Sequence, residues 1–248
     1  MNNCESNKKY ILIVGASSGI GAAIAERLSN EDNVIILMAR NEDRLISVKN
    51  RLRGESEIIK CDVTDYNALE LFFDKLKQKN IKLSAMVYTA GICFIKPIKA
   101  MSAGELDELF KINVFGFYEM CRQFQSSKIS EKGASIVAIS SYASVTEEPG
   151  MSAYAMSKSA MNTAVKVMAK EFSKRQLRVN AILPSNTESK MGQELDVWTE
   201  EELEEIQNVQ FLGAIPKGEI AETVAFLISK NSAHITGALI EISAGYGM

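Results

Sequence analysis

The sequence contains very little histidine, tryptophan or proline, and these shortages exclude several kinds of site. Its 248 residues include one His (His234), one Trp, four Pro and four Cys. A single His cannot supply a two-histidine metal site, and it would have to act alone in any Ser-His-Asp or Cys-His mechanism. The cysteines lie far apart with no CxxC pair, so we expect neither a metal site nor a redox pair.

Long hydrophobic runs and a strong excess of one charge are also missing. No apolar segment approaches the ~20 residues needed to span a bilayer. The N-terminal residues lack the apolar core of a secretory signal. The net charge of −3 gives no general attraction to nucleic acid. These features predict a cytoplasmic protein that binds neither membrane nor nucleic acid.

Short apolar runs rich in β-branched residues alternate with helical patterns along almost the whole chain. In chain order, the predicted strands are Tyr10–Val14, Val34–Met38, Ile58–Cys61, Leu83–Thr89, Ala134–Ser140, Val179–Leu183 and Ala238–Ile242. The predicted helices include Asn41–Arg53, Asp65–Gln78, Glu105–Ser127, Ser152–Lys174 and Glu219–Ser229. This alternation predicts an α/β fold, a doubly wound parallel sheet of about seven strands with helices on both faces. With no linker or repeat, residues 1–248 are predicted to form one domain.

Residues 189–217 differ from the rest of the chain because they mix acidic and apolar side chains. Thr199 and Glu202 have the spacing of a capping box, which predicts a short helix. Apolar residues such as Trp198 and Phe211 suit a lid over an apolar substrate. They suit a helix that merely packs on the core equally well.

A glycine-rich loop directly follows the first predicted strand. It reads Gly15, Ala16, Ser17, Ser18, Gly19, Ile20 and Gly21, a G-x-x-x-G-x-G pattern. Glycines allow a tight turn and a close backbone approach, and the next helix offers free N–H groups to a pyrophosphate. The alternative is a simple turn between strand and helix. The position after the first strand of an α/β chain favours dinucleotide binding.

The end of the second predicted strand indicates which dinucleotide is bound. An acidic residue there would bind the 2′-hydroxyl of the adenosine ribose. This chain has Ala39 followed by Arg40, and a guanidinium would instead pair with a 2′-phosphate. The sequence therefore favours NADP(H) over NAD(H), unless Arg40 is only a solvated loop residue.

Tyr154 and Lys158 are the strongest candidates for proton transfer. Their four-residue spacing puts both side chains on one face of a predicted helix. A nearby ammonium lowers the pKa of a phenol, which can then act as a general acid or base. Ser141 follows the fifth predicted strand, at the edge where parallel sheets bind ligands. Asn113, a poor residue for a helix interior, is either tolerated or bonds a backbone group or water.

Together these residues resemble the short-chain dehydrogenase/reductase family, in its single-domain, Rossmann-type branch. The resemblance implies that the catalytic residues are Asn113, Ser141, Tyr154 and Lys158. It implies cofactor binding by Gly15, Ser17, Ser18, Gly19, Ile20, Gly21, Arg40, Asp62, Val63, Ala90, Gly91, Tyr154, Lys158, Pro184, Thr187 and Ser189.

Four positions depart from the family pattern. They are Val14, Thr89, Ser185 and the run Ser243-Ala244-Gly245, where the family usually has Thr, Asn, Gly and Asp-Gly-Gly. Thr89 and Ser185 keep small polar atoms, so we expect altered local hydrogen bonds and an intact fold.

The resemblance implies an enzyme that reduces a ketone to an alcohol by hydride transfer from NADPH. Tyr154 would donate the proton and Ser141 would orient the carbonyl oxygen. Lys158 would hold the nicotinamide ribose and Asn113 a water. A 3-oxoacyl-acyl-carrier-protein reductase is the leading substrate hypothesis. Lys132 and Arg175 would then face an acidic carrier protein, or be ordinary surface charges.

Two other functions and the oligomeric state stay open at this point. One alternative is an alcohol, polyol, sugar or steroid dehydrogenase working oxidatively. The other is a nucleotide-sensing regulator without catalysis, since a fold does not fix a function. The resemblance also implies a homodimer or homotetramer formed by the helices at 105–127 and 152–174. Small residues such as Gly116 and Ala160 would let these helices approach closely.

Overall fold

A computed structural model describes residues 8–146, 148–188, 191 and 199–248 of the chain. Its seven strands form one parallel sheet in the order β3-β2-β1-β4-β5-β6-β7. Their bounds are β1 Lys9–Val14, β2 Asn33–Ala39, β3 Glu55–Lys60, β4 Leu83–Tyr88, β5 Ser130–Ile139, β6 Arg178–Pro184 and β7 Leu239–Ile242. The predicted seven-stranded parallel sheet is confirmed, although β3 and β5 begin earlier than predicted.

The helices lie between successive strands. Their bounds are α1 Gly19–Leu28, α2 Glu42–Lys49, α3 Tyr66–Gln78, α4 Ala103–Phe110, α5 Phe117–Phe124, α6 Ser152–Glu171, α7 Glu200–Val209 and α8 Lys217–Ile228. Asp65 caps α3 by accepting a hydrogen bond from the backbone N–H of Ala68, as its position predicts. α2 is shorter than predicted, because Asn41 is its N-cap and the helix ends at Lys49.

The predicted continuous helix at 105–127 is wrong in one respect. A π-helical segment, Lys111–Gly116, separates α4 from α5 and contains Asn113. Such a wider turn re-aims side chains and frequently occurs at functional sites. The expectation that Gly116 permits close approach of another subunit is also wrong. Gly116 is buried, and a Cβ there would lie 2.7 Å from the Tyr88 hydroxyl.

Two apolar layers cover the two faces of the sheet. Along β1, Leu12 and Val14 pack into the layer that contains Phe73 and Phe117, whereas Ile11 and Ile13 pack into the layer on the opposite face. Burial on both faces explains why the sequence shows short, continuous apolar runs. Among the helices of the described residues, none is long and apolar enough to cross a membrane.

The strand order determines where a ligand can bind. β1 pairs with β2 on one side and with β4 on the other, so the chain winds away from β1 in both directions. In sheets of this kind the crevice at the carboxyl ends of the strands, beside this switch point, is the ligand site.

Candidate active site

The loop after β1 approaches its neighbours too closely for any residue other than glycine. Gly15 has a φ of +88°, and a Cβ there would lie 2.6 Å from the backbone nitrogen of Ala90. A Cβ on Gly21 would lie 2.3 Å from the carbonyl oxygen of Gly15. Both distances are far shorter than real Cβ contacts, so the loop and the first turn of α1 are built around missing side chains.

The N-terminus of α1 offers its N–H groups to a ligand. Its N-cap, Ser18, makes no side-chain capping bond within the described residues, and the first turn of α1 contains no acidic residue. Because the helix N-terminus carries a partial positive charge, these N–H groups suit an anion. The glycine cradle and this helix end therefore fit the pyrophosphate of a dinucleotide.

A cleft of about 890 Å³ runs along the carboxyl edge of the sheet. It is lined by predicted cofactor residues, namely Gly15, Ser17, Ser18, Gly19, Ile20, Gly21, Arg40, Asp62, Val63, Ala90, Gly91, Lys158 and Thr187. Pro184 is instead a buried end of β6, and Tyr154 is not among the residues that define the cleft. Ser189 lies outside the described residues, as does Trp198.

Arg40 and Asp62 lie close together at the ends of neighbouring strands. The guanidinium of Arg40 is largely exposed, and its Nη1 lies 3.9 Å from Oδ2 of Asp62. The other carboxylate oxygen, Oδ1, accepts hydrogen bonds from the backbone N–H and the hydroxyl of Thr64. Asp62 is thus fixed, whereas Arg40 is free to swing toward an anion.

Sequence reasoning missed further charged residues of the cleft. Arg44, Arg51 and Lys217 also line it. Arg44 lies four residues after Arg40, in the first turn of α2, and that spacing was a usable signal. Arg51 is paired with Glu26 at 2.6 Å, so among the three arginines that line the cleft Arg40 and Arg44 are the more available to a ligand.

Asn113 holds the loop after β4 in place from the π-helical segment. Its Oδ1 accepts the backbone N–H of Ile92 at 2.9 Å, and its Nδ2 donates to the Ile92 carbonyl at 3.0 Å. Nδ2 also donates to the hydroxyl of Ser157, which donates to the carbonyl of Tyr154. The side chain of Asn113 therefore ties the loop to α6. Whether Asn113 also holds a water stays a prediction.

Ser141, Tyr154 and Lys158 meet at the start of α6. Nζ of Lys158 is buried, donates to the carbonyl of Ile139 at 3.0 Å and lies 5.7 Å from the centre of the Tyr154 ring. The Ser141 hydroxyl accepts the backbone N–H of Ala143 at 3.2 Å, which fixes its oxygen, and its own proton can be donated to an acceptor beside Tyr154.

The protonation of these groups differs from the sequence-based expectation. Burial raises the pKa of Tyr154, the nearby Cys93 thiol raises it further, and a hydrogen bond with Ser141 opposes the rise. Burial lowers the pKa of Lys158 to about 8. We expected Lys158 to lower the tyrosine pKa, but desolvation of the phenolate is the larger effect. At neutral pH Tyr154 is therefore a neutral phenol with a proton to give.

Two departures from the family pattern have visible consequences. The hydroxyl of Thr89 donates to the carbonyl of Val14, which closes the end of β1 against β4. The hydroxyl of Ser185 lies 2.6 Å from Oε1 of Gln210 and 2.8 Å from the carbonyl of Ser243. Both residues take part in local hydrogen bonds beside an intact sheet.

The described part of segment 189–217 contains the predicted short helix, α7. Thr199 and Glu202 form the predicted capping box, with each side chain bonded to the other's backbone N–H. Ile206 is the buried apolar residue of α7, whereas Phe211 and Leu212 after it are exposed. Among the residues that the structure describes, no group of His, Cys, Asp and Glu could hold a metal ion.

Comparison with known proteins finds relatives along the whole chain. A family model described as enoyl-(acyl carrier protein) reductase matches residues 15–247. A 3-oxoacyl-[acyl-carrier-protein] reductase of Thermotoga maritima is 30% identical, over 96% of this chain and 97% of its own length. A 3beta-hydroxysteroid dehydrogenase of Mediterraneibacter gnavus is 27% identical, over 97% of this chain and 95% of that protein.

A solved structure of a similar protein has the same fold. A 3-oxoacyl-[acyl-carrier protein] reductase of Brucella melitensis with bound NAD is 25% identical and has a TM-score of 0.84, covering 98% of this chain and 93% of that one. The chain therefore belongs to the short-chain dehydrogenase/reductase family of NAD(P)-binding oxidoreductases, which act on CH–OH and C=O groups.

Proposed function

We propose that this protein is an NADPH-dependent reductase that converts a ketone to an alcohol. The observation that carries the proposal is that Tyr154 lies beside Ser141 and Lys158, and that Lys158 lines the same cleft as the glycine loop and Arg40. A dinucleotide bound in this cleft supplies the hydride. The protein's own task is then to bind and orient the carbonyl and to deliver a proton to its oxygen.

Tyr154 is the proton donor in this scheme. Its pKa is raised by burial, so its hydroxyl is protonated at neutral pH and can give its proton to the developing alkoxide. The same group would accept the proton in the reverse reaction, so the reductive direction is proposed from the reductases among the relatives.

Ser141 and Lys158 prepare the reaction on either side of Tyr154. The Ser141 oxygen is fixed by the Ala143 N–H, so its proton can point at the substrate carbonyl oxygen and stabilise the charge that develops there. Lys158 has an ammonium below pH about 8, and this charge suits ribose hydroxyls and the forming phenolate. Asn113 would hold a water that returns a proton to the site.

The preference for NADPH rests on Arg40. Its exposed guanidinium is 3.9 Å from Asp62, too far for a tight pair, and is available to a 2′-phosphate. Arg44 lines the same part of the cleft and adds a second positive charge. We infer that loss of Arg40 would cost NADPH binding far more than NADH binding.

A 3-oxoacyl group on an acyl-carrier protein is the candidate substrate that the names of the relatives favour. The expectation that Arg175 faces an acidic carrier protein is weakened by its contacts. Arg175 donates to the carbonyls of Gln125 and Ser130, so its guanidinium caps backbone groups instead of facing a partner. Lys132 is exposed and remains available.

Assembly into a homodimer or homotetramer is part of the proposal. Exposed apolar side chains on α5, α6 and the π-helical segment support it. They include Phe115, Tyr118 and Val167. Burying such a surface against its copy would remove it from water. Size-exclusion chromatography with light scattering would test this directly.

Turnover of purified protein with NADPH or NADH tests the proposed function. We expect reduction of ketones, including a 3-oxoacyl thioester, with a higher kcat/KM for NADPH. Tyr154→Phe should lower kcat by about 10²–10⁴-fold, the usual contribution of general acid catalysis. It should leave NADPH affinity, followed by nucleotide fluorescence, unchanged. Tyr66→Phe, at an exposed tyrosine of α3, is the matched control.

Two results would overturn the proposal. Tight cofactor binding without turnover of any ketone or alcohol would favour the nucleotide-sensing regulator. Turnover of alcohols with NAD and none of ketones with NADPH would favour the oxidative dehydrogenase.

A further inference from the structure

Asn162 has a buried amide that is only half satisfied. It lies on α6, one turn after Lys158, and its side chain is almost fully buried. Nδ2 donates to the hydroxyl of Ser144 at 2.8 Å. Oδ1 is buried, and no group of the described residues donates to it. An unsatisfied buried oxygen is unfavourable for folding and calls for an explanation.

The amide is joined to the catalytic serine by a short chain of hydrogen bonds. Ser144 Oγ, which accepts from Asn162, donates to the Ser141 carbonyl at 2.6 Å. The backbone N–H of Ser144 donates to the same carbonyl at 3.1 Å. Ser159, also on α6, donates to the carbonyl of Ser144 at 3.0 Å. The turn that follows Ser141 is thus attached to α6 at two points.

The direction of these bonds fixes the orientation of the amide. A serine hydroxyl has one proton, and Ser144 gives it to the Ser141 carbonyl. Asn162 must therefore present its NH₂ group to Ser144, and its oxygen is left facing groups that do not donate. The orphaned oxygen follows from holding Ser144 in the orientation that holds Ser141.

We propose that Asn162 and Ser144 are positioning residues for Ser141. They fix the turn at 142–144, whose Ala143 N–H holds the Ser141 oxygen, and so keep the serine proton aimed at the carbonyl oxygen of the substrate. This inference rests on the proposed function, because it assigns the network a role in that reaction. Neither residue touches substrate or cofactor in this scheme.

The proposal predicts opposite effects on activity and stability when Asn162 becomes leucine. Leucine branches at Cγ as asparagine does, although it is larger, and it removes both the hydrogen bond to Ser144 and the buried unsatisfied oxygen. We expect kcat to fall about tenfold, as small misplacements of catalytic groups do. KM for NADPH should not change, and Tm should stay equal or rise. A purely structural role would instead lower Tm and leave kcat unchanged.

Asn162→Asp and Ser144→Ala keep the test decisive if leucine packs badly. Aspartate has nearly the same shape but cannot donate to Ser144, so kcat should fall as in the leucine variant. Ser144→Ala removes the hydroxyl that donates to the Ser141 carbonyl and accepts from Asn162. Combined with Asn162→Leu, it should cost no more than either change alone, because residues that act as one unit are not additive. Thr163→Ala, at an exposed neighbouring position on α6, is the control and should keep wild-type kcat.

The outcomes separate this inference from the proposed function. If the wild-type protein reduces no ketone, the proposed function fails. If the wild type is active and both Asn162 variants retain its kcat, or if the double variant loses the product of the two single losses, the positioning role is wrong.

Discussion

The cofactor side and the substrate side of this molecule are held by different kinds of contact. On the cofactor side, which comprises loop 15–21 and the ends of β1–β4, backbone groups approach where side chains are missing. Gly21 against the Gly15 carbonyl is the clearest example. On the proposed substrate side, which comprises residues 142–146, 148, 185–186, 209–212 and 243–248, distant side chains bond to one another. Ser185 binds Gln210, and Tyr246 binds Glu148.

The difference reflects what each side must do. A pyrophosphate is recognised by N–H groups, so the protein supplies a bare, tightly turned backbone whose geometry allows almost no change. A substrate is recognised by shape, which is set by side chains on several loops and tolerates adjustment. Substitutions on the cofactor side should therefore act through steric exclusion, and those on the substrate side through modest changes in affinity.

The largest effect is expected from Gly21→Ala. Its Cβ would lie 2.3 Å from the Gly15 carbonyl oxygen, so the loop or α1 must move. We expect dinucleotide affinity to fall about 100-fold or more, since each 1.4 kcal/mol is a factor of ten and such clashes cost a few kcal/mol. Isothermal titration with NADPH would measure the loss.

Gly218→Ala is the matched control for this prediction. Gly218 lies in the first turn of α8, and no atom of the described residues would lie within 4 Å of its Cβ. Alanine there should stabilise the protein by about 0.5–1 kcal/mol, as in other helices. Equal cofactor affinity in the two alanine variants would contradict the contrast drawn between the sides.

Arg40→Ala should produce the next largest effect. Removing a charge-assisted hydrogen bond to a phosphate costs about 1.5–3 kcal/mol, so kcat/KM for NADPH should fall about 10–100-fold. The value for NADH should stay within about threefold. Arg53→Ala, at an exposed arginine that does not line the described cleft, is the control. A parallel loss with both cofactors would mean that Arg40 does not select the 2′-phosphate.

The two sides also differ in how far the sequence predicts them. The glycine loop and Arg40 follow from local patterns, because glycine spacing and strand ends are properties of neighbouring residues, whereas Asp62 was assigned from the family resemblance. Tyr154 and Lys158 are equally local, four residues apart on one helix. These features, and the alternation of strands and helices, were predictable from sequence and are found together in the structure.

The long-range hydrogen bonds, the π-helical segment and the raised tyrosine pKa depend on tertiary contacts, which local sequence patterns do not predict. The Tyr246–Glu148 bond joins residues 98 positions apart, and Ser185 meets Gln210 only because the chain returns to the end of β6. The π-helical segment at 111–116 reads as ordinary helix in the sequence. The raised pKa of Tyr154 was also missed, since burial, and not the nearby Lys158, controls it.

The pH dependence of reduction should show one alkaline limb. Lys158 carries its proton below pH about 8 and loses it above, whereas the raised pKa keeps Tyr154 protonated well beyond that point. We expect kcat/KM to be level below this pH and to fall about tenfold per pH unit above it. Lys158→Arg, which stays charged, should remove the limb whatever its basal rate. A wild-type profile that remains level through pH about 8 would contradict this assignment.

The smallest effect is expected on the substrate side, at Tyr246. Its ring packs edge-on against Tyr142, the residue after Ser141, with centroids 5.8 Å apart, and its hydroxyl donates to Glu148 at 2.9 Å. Gly247 bonds the carbonyl of Val209, so Tyr246 connects the end of α7 to the loop between Ser141 and Tyr154.

Tyr246→Phe keeps the ring and removes only the bond to Glu148. A hydrogen bond of this kind contributes about 0.5–1.5 kcal/mol, so KM for the ketone should rise about two- to tenfold. KM for NADPH should not change, because the cofactor cleft is built from other loops. Glu148→Gln should reproduce the effect in part, since its amide oxygen can still accept the hydroxyl. A rise in KM for NADPH instead would mean that the tail supports the cofactor side, and the division between the two sides would have to be redrawn.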